Sequence, residues 1–278
     1  MAFKTVLLVV GVDHPDAEVE RAAGIADALE AHLSVLVLGI APPPPTSAYG
    51  VVSNDIWAAQ YQENQQVVED RAGALRDRLA QRPGPVTVTG QFIDRASVST
   101  LVARFARYAD LTLIMPETED TEPLQSWVTN GALFESGRPV LLLPAGRTPF
   151  PDVSHVMIAW DASVEAAKAV RDAIGLMQRA RKVTAVLVDP IPSFEGHGPE
   201  PGADLAVYLG RHGVEVEVVR LPREGKDVSE VLQRAASDLG ADLLVMGGFG
   251  HSRLRQRIFG GTTMSTLKDT GVATLMSH

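Results

Sequence analysis

The chain has no cysteine in its 278 residues. Disulfides, thiolate zinc sites, iron–sulfur clusters and a cysteine nucleophile are therefore excluded. The absence also fits a reducing, cytoplasmic setting. No apolar run approaches the roughly 20 residues of a membrane helix. The apolar stretch Val6 to Val10 follows a single lysine and runs into Gly11-Val12-Asp13, without the cleavage site of a secretory leader. An excess of basic charge is missing too: 34 acids face 25 Lys and Arg, a formal net charge of -9. Nonspecific nucleic-acid binding needs a basic surface, so no nucleic-acid partner and no membrane partner are expected. A local basic pocket for a small phosphate ligand stays compatible with that balance. Also absent are a Gly-x-Ser-x-Gly elbow, a His-Glu-x-x-His helix and any i, i+4 histidine pair. No catalytic or metal-ligating set is expected from sequence.

What is present is an ordinary soluble mix, 45% hydrophobic and 21% charged, and it is arranged twice. Val6 to Asp13 is an apolar run ending in aspartate, and so is Val156 to Asp161. Such runs read as strands buried on both faces. Helical stripes follow at i, i+3, i+4, i+7: Val19, Ala22, Ala26 and Leu29, then Val170, Ala173, Ile174 and Met177. Ser163 stands where a helix N-cap belongs. The next strands run into Pro42 and Pro190, at one spacing from Asp13 and Asp161. Later stripes (Val98, Leu101, Val102, Phe105; Val228, Val231, Leu232, Ala235) each lead to Ala-Asp-Leu and a fourth strand, after Asp110 and Asp242. Fifth strands lie at Val140 to Leu143 and Val272 to Met276. The first copy has a surplus, a long polar helix around Ser53 to Gln81 with a broken stripe of Ile56, Val67, Val68, Leu75 and Leu79. The second has a short counterpart near Ala203 to Leu209. Gly146 and Pro149 mark a linker, so the expected domains are 1–147 and 151–278. Alternating strand and helix means parallel strands with right-handed crossovers, hence two doubly wound α/β, Rossmann-like domains. Such sheets bind ligands beyond the carboxyl ends of their strands, where strand order reverses.

The copies differ there. After its fourth strand the second reads Met246-Gly247-Gly248-Phe249-Gly250-His251-Ser252-Arg253, then Gly260-Gly261-Thr262-Thr263. Glycines permit close backbone approach, and a helix opening at Gly261 would offer free amides to an anion. His251, Ser252, Arg253, Arg255 and Arg257 add positive charge and donors. The pattern is neither a Walker A loop nor the dinucleotide fingerprint, because no Gly-Lys-Ser/Thr occurs and position 253 is arginine. The first copy instead reads Pro116-Glu117-Thr118-Glu119-Asp120-Thr121-Glu122, whose carboxylates repel phosphate. That domain is expected to have lost nucleotide binding and to be architectural or to bind something else.

Gly247-x-x-Gly250 with Gly260 downstream resembles the nucleotide-binding motif of universal stress proteins. Trp160-Asp161-x-Ser163 and Ala241 to Gly247 resemble that family as well, in its tandem two-domain bacterial form. The resemblance implies a five-stranded parallel sheet in order 3-2-1-4-5 in each domain. It also implies ATP, ADP or AMP as ligand, with Mg²⁺ as a candidate companion, and a role in stress response and regulation rather than rapid catalysis. It places Ala159, Asp161, Leu187 and Val188 near base and ribose, and Met246 and Gly247 along the path to the phosphates. Around the phosphates it places Gly250, His251, Ser252, Arg253, Gly260, Gly261, Thr262 and Thr263. Gly261 departs from the Ser or Thr of many ATP-binding members. Two alternatives stay open: a slow ATPase or autophosphorylating protein, and an interaction scaffold with a vestigial site. The two copies are expected to pack as an internal pseudo-dimer, with a homodimer left open, since each ends on an apolar edge strand. Glu195, His197 and Glu200 form a lesser candidate cluster for metal or for closing over a nucleotide.

Overall fold

The computed structural model describes residues 3–43, 54–116, 124–146, 150–193, 196–248 and 271–278. Chain contacts divide it into two compact units, Phe3–Ser136 and Gly137–His278.

In the first unit, β1 (Thr5–Gly11) is flanked by β2 (His32–Ala41) and β4 (Leu111–Ile114), and β3 (Val86–Asp94) pairs with β2. All these pairs are parallel, in the order β3-β2-β1-β4. Val6, Leu7 and Leu8 are wholly buried, as a strand covered on both faces requires. Helix α1 (Asp16–Ala28) buries Val19, Ala22, Ile25 and Ala26, while Leu29 stays half-buried. The surplus helix is α2 (Asn54–Leu79). Its buried stripe is Val68, Ala72, Leu75 and Leu79; Val67, an expected member, is 47% exposed. Ala72 takes its place because the periodicity selects 68, 72, 75 and 79 as one face. Two strand glycines let α2 lie close. A Cβ on Gly39 would sit 2.3 Å from Val68 Cγ2, and one on Gly90 would sit 3.2 Å from Val68 Cγ1. Arg71 pairs with Asp16 at 2.7 Å, Arg78 with Asp16 and Glu20, and Arg82 with Asp27, so basic residues of α2 and of the turn after it meet acids of α1. Helix α3 (Val98–Ala106) and α4 (Gln125–Thr129) complete the unit. Gly131, just beyond α4, has no room for a side chain: its Cβ would lie 2.2 Å from the Ser99 carbonyl oxygen.

In the second unit, β6 (His155–Ala159) lies between β7 (Lys182–Val188) and β9 (Leu243–Gly247). Strand β8 (Glu217–Leu221) extends one side and β10 (Ala273–Ser277) the other, all parallel, giving β8-β7-β6-β9-β10. The strand β5 (Val140–Leu142) falls in this unit and pairs antiparallel with β10, Leu141 opposite Leu275. The apolar edge of β10 is thus covered. Helix α5 (Val164–Met177) buries Val170, Ala173, Ile174 and Met177. Helices α6 (Ala203–Arg211) and α7 (Val228–Leu239) are the remaining described helices, and Val228 at the start of α7 is exposed. No helix among the described residues is long and apolar enough to cross a membrane.

The repeated aspartates do one job in both units. Asp110 Oδ2 accepts from the amides of Lys4 and Thr5 at 2.8 and 3.0 Å. Asp242 Oδ2 accepts from those of Ser154 and His155 at 2.7 and 2.9 Å. Each ties the start of a fourth strand to the start of a first, at the amino edge of its sheet.

Candidate functional site

Strand order places the crevice. From β6 the chain runs through β7 and β8 on one side, then crosses to β9 and β10 on the other. The carboxyl ends of β6 and β9 therefore flank a topological switch point. The ladder sets Ala159 opposite Met246, and both are half-buried there. Asp161 follows two residues later and is exposed. Leu187 has no exposed surface, so its side chain belongs to the core and only its backbone is left to serve a ligand. Val188, one residue on, is half-buried at the same edge.

Asp161 is engaged rather than bare. Its Oδ1 accepts from the Ser163 amide at 3.0 Å and from the Ser163 hydroxyl at 2.6 Å. Ser163 Oγ in turn accepts from the Ala166 amide at 3.1 Å, the N-cap bond of α5. Ala162 between them adopts a φ of 60°. The carboxylate and hydroxyl thus form a relay that holds the first turn of α5 beside the crevice. We expect Ser163→Ala to lower stability by about 1 kcal/mol, read as a fall in urea midpoint at unchanged slope.

The glycines carry structural duties. A Cβ on Gly247 would lie 2.5 Å from the Ala166 amide nitrogen and 2.8 Å from the Glu165 carbonyl carbon. Glycine is required there for β9 to approach the first turn of α5. The Gly248 amide donates to the Ser277 carbonyl at 2.6 Å, so it is not offered to a ligand. Lys168, which sequence reasoning missed, donates to the carbonyls of Gly137 and His278 at 2.8 and 3.0 Å. Burial pushes its amine below the usual lysine range, with Asp172 opposing that fall. Its position on α5, one turn beyond Val164, is the only sequence signal that could have found it. Asp172 also accepts from the Ser277 hydroxyl at 2.8 Å, so one turn of α5 secures the end of β10.

Gly250, His251, Ser252, Arg253, Gly260, Gly261, Thr262 and Thr263 lie outside the described residues, as do Arg255 and Arg257. The acidic stretch Glu117 to Glu122 of the first copy lies outside them too. The structure therefore brings together Ala159, Asp161, Met246 and Gly247 at one crevice, with Val188 on the neighbouring strand. The lesser cluster resolves differently. Glu200 is paired with Arg220 at 2.5 Å, Glu195 is outside the described residues, and no metal-binding group occurs among the described residues. Chemically, the described part of the site offers one carboxylate, backbone groups and apolar contact. It suits binding and orientation.

The universal stress protein family model matches residues 153–278. A universal stress protein of Synechocystis is 27% identical over 141 residues. That match spans 50% of this chain and 46% of that protein, so the chain covers less than half the length of the curated relative. A solved universal stress protein from Archaeoglobus fulgidus aligns with a TM-score of 0.63 at 16% identity, over 98% of this chain and 95% of that one. A solved structure from Pseudomonas aeruginosa gives 0.60 at 16% identity, over 99% of this chain and 93% of that one. At this identity the two structures show the fold. The family match rests on the same stretch that carries Asp161, Ser163 and the glycine pattern, and residues 153–278 of this chain belong to the universal stress protein family.

Proposed function

We propose that the second unit binds ATP or a related adenine nucleotide at the β6/β9 crevice, in a stress-response or regulatory role rather than in rapid turnover. The observation that carries the reading is the register. Ala159 and Met246 sit side by side at the switch point, Asp161 stands just beyond, and the glycine-, arginine- and threonine-rich sequence begins at that same strand end. Asp161, with one carboxylate oxygen already accepting from Ser163, is the group this reading assigns to the ribose. Backbone groups and the half-buried Val188 and Met246 suit a flat base. Arg253 and the threonines Thr262 and Thr263 suit phosphates, with Mg²⁺ as companion ion. Family membership supports the stress-response role, and the scarcity of catalytic groups among the described residues favours binding over catalysis.

The test is mass analysis of nucleotide carried through native purification, followed by calorimetry with ATP and AMP. We expect a single ATP per chain, and Gly250→Asp to weaken ATP at least about tenfold through like-charge repulsion at the phosphates. Retention of wild-type affinity in that variant, or no heat with either nucleotide, overturns the reading.

A further inference from the structure

The described lysines are Lys4, Lys168, Lys182 and Lys226, and all but one stand beside a carboxylate. Lys4 lies 4.0 Å from Glu30, Lys182 3.1 Å from Glu217 and Lys226 3.9 Å from Glu224. Lys168 is held differently. Its Nζ donates to the backbone oxygens of Gly137 and His278 at 2.8 and 3.0 Å. Asp172, one turn on, accepts from the Ser277 hydroxyl at 2.8 Å. Arg171, three residues along α5, shares a face of the helix with Lys168. Arg138 directly follows Gly137, whose oxygen Lys168 holds. Both guanidiniums are near enough for their charge to act on the amine. Gly137, Arg138 and Arg171 are exposed and Lys168 is half-buried, so the amine sits in a shallow basic recess open to solvent.

The two backbone bonds matter to the chemistry. An ammonium has three N–H donors, and Lys168 commits two of them to Gly137 and His278. A neutral amine keeps two N–H donors, so losing the third proton costs neither bond. The lone pair then takes the remaining tetrahedral position, turned away from both acceptors. Burial is the largest cause holding this amine below the ordinary lysine range; Asp172 opposes the fall, and Arg171 and then Arg138 add to it. A desolvated lysine beside other cations is an activated nucleophile, because more of it is neutral. The same guanidiniums raise the local concentration of an anionic reagent.

We propose that Lys168 is a modification site, acylated directly by small acyl phosphates whose charged leaving group is drawn in by Arg138 and Arg171. The nitrogen lone pair attacks the acyl carbon and an N–C bond forms. The C–O bond to phosphate breaks, its electron pair leaves with the phosphate, and the proton shed by nitrogen goes to that phosphate. The product is an uncharged amide with one N–H, so one of the two backbone oxygens loses its donor. The proposal does not rest on the nucleotide reading of the β6/β9 crevice.

The test treats the full chain with acetyl phosphate, or with uncharged acetic anhydride, across a series of pH values. Initial rates at Lys4, Lys168, Lys182 and Lys226 are read by peptide mass spectrometry. With acetyl phosphate at neutral pH, Lys168 is expected to react at least about fivefold faster than the other three, and its rate to level off at a lower pH than theirs. With acetic anhydride that lead should shrink about threefold, because the arginines do not attract an uncharged reagent. Arg171→Gln, at an exposed position, should slow acetyl phosphate at Lys168 about threefold and leave the other three lysines unchanged. Lys168 reacting no faster than the carboxylate-paired lysines, an equal lead with both reagents, or an unchanged rate in Arg171→Gln overturns the proposal.

Discussion

Replacing Gly247 with alanine is expected to cost about 3 kcal/mol of stability, at the upper end for overpacking a well-packed site. The atoms it would strike are backbone, Ala166 N at 2.5 Å and Glu165 C at 2.8 Å, and backbone cannot rotate aside as a side-chain tip can. Relief requires β9 and the first turn of α5 to separate by most of an ångström. That movement carries the Ala166–Ser163–Asp161 relay, which sits on the same turn, away from the carboxyl end of β9. Urea unfolding of the full chain checks the figure, and a loss below about 0.5 kcal/mol would contradict the packing account. Gly210 gives the opposite sign. It lies inside α6 with nothing within 4 Å of an added Cβ, so Gly210→Ala is expected to stabilise by about 0.5–1 kcal/mol. The pair separates a glycine kept for space from one that is not. It also bears on the nucleotide site: weaker ATP binding in Gly247→Ala reports a displaced α5, not a lost ligand contact. Gly250→Asp is the cleaner probe of the motif for that reason.

Much of the fold is legible in the sequence because buried parallel strands must be apolar throughout. Val6 to Val10, Ala185 to Val188 and Leu243 to Val245 stand out as uninterrupted runs between helical stripes. The repeat then supplies the order of elements twice. What escapes is information that no local pattern encodes. Val140-Leu141-Leu142 reads as a buried strand, yet nothing in those residues says that it pairs antiparallel with β10. Partner choice between distant strands is settled by packing, not by propensity. Val67 and Val68 are equally apolar, and it is the face Val68 shares with Ala72, Leu75 and Leu79, docked on Gly39 and Gly90, that turns Val68 inward.

The candidate site is legible in the same uneven way. Asp161 and Ser163 announce a cap, and the structure shows the carboxylate supporting the serine rather than capping the helix itself. The glycine pattern after Met246 is ambiguous because space for a ligand and space for a helix demand the same residue. Gly247 meets the second demand, and Gly248 spends its amide on Ser277. His14 draws notice in the sequence only by standing next to Asp13; its burial is a property of the folded chain.

The repeated Ala-Asp-Leu carries a stability consequence of similar size at the opposite edge of each sheet. Asp242→Ala is expected to cost about 3 kcal/mol, because one carboxylate oxygen accepts from two backbone amides that begin β6. The amides of Ser154 and His155 would be left without that acceptor in a half-buried setting, which is the costly side of breaking a hydrogen bond. Asp110→Ala should behave alike in the first unit, where Lys4 and Thr5 lose the same acceptor. Asp242→Asn should recover about half of the loss, since it keeps an oxygen acceptor but gives up the charge. Urea midpoints for the three variants check the ranking, and an asparagine as damaging as alanine would show that charge, not acceptance, is what the strands need. The site offers an independent control. Asp242 meets the first residue of β6, whereas Ala159 and Asp161 lie at its other end. Asp242→Ala should therefore lower stability while leaving ATP affinity within about twofold at temperatures where the chain is folded, whereas Gly247→Ala should disturb both. A variant at Asp242 that lost nucleotide binding in step with stability would mean that the crevice depends on the amino edge of the sheet, which the geometry of β6 does not provide for.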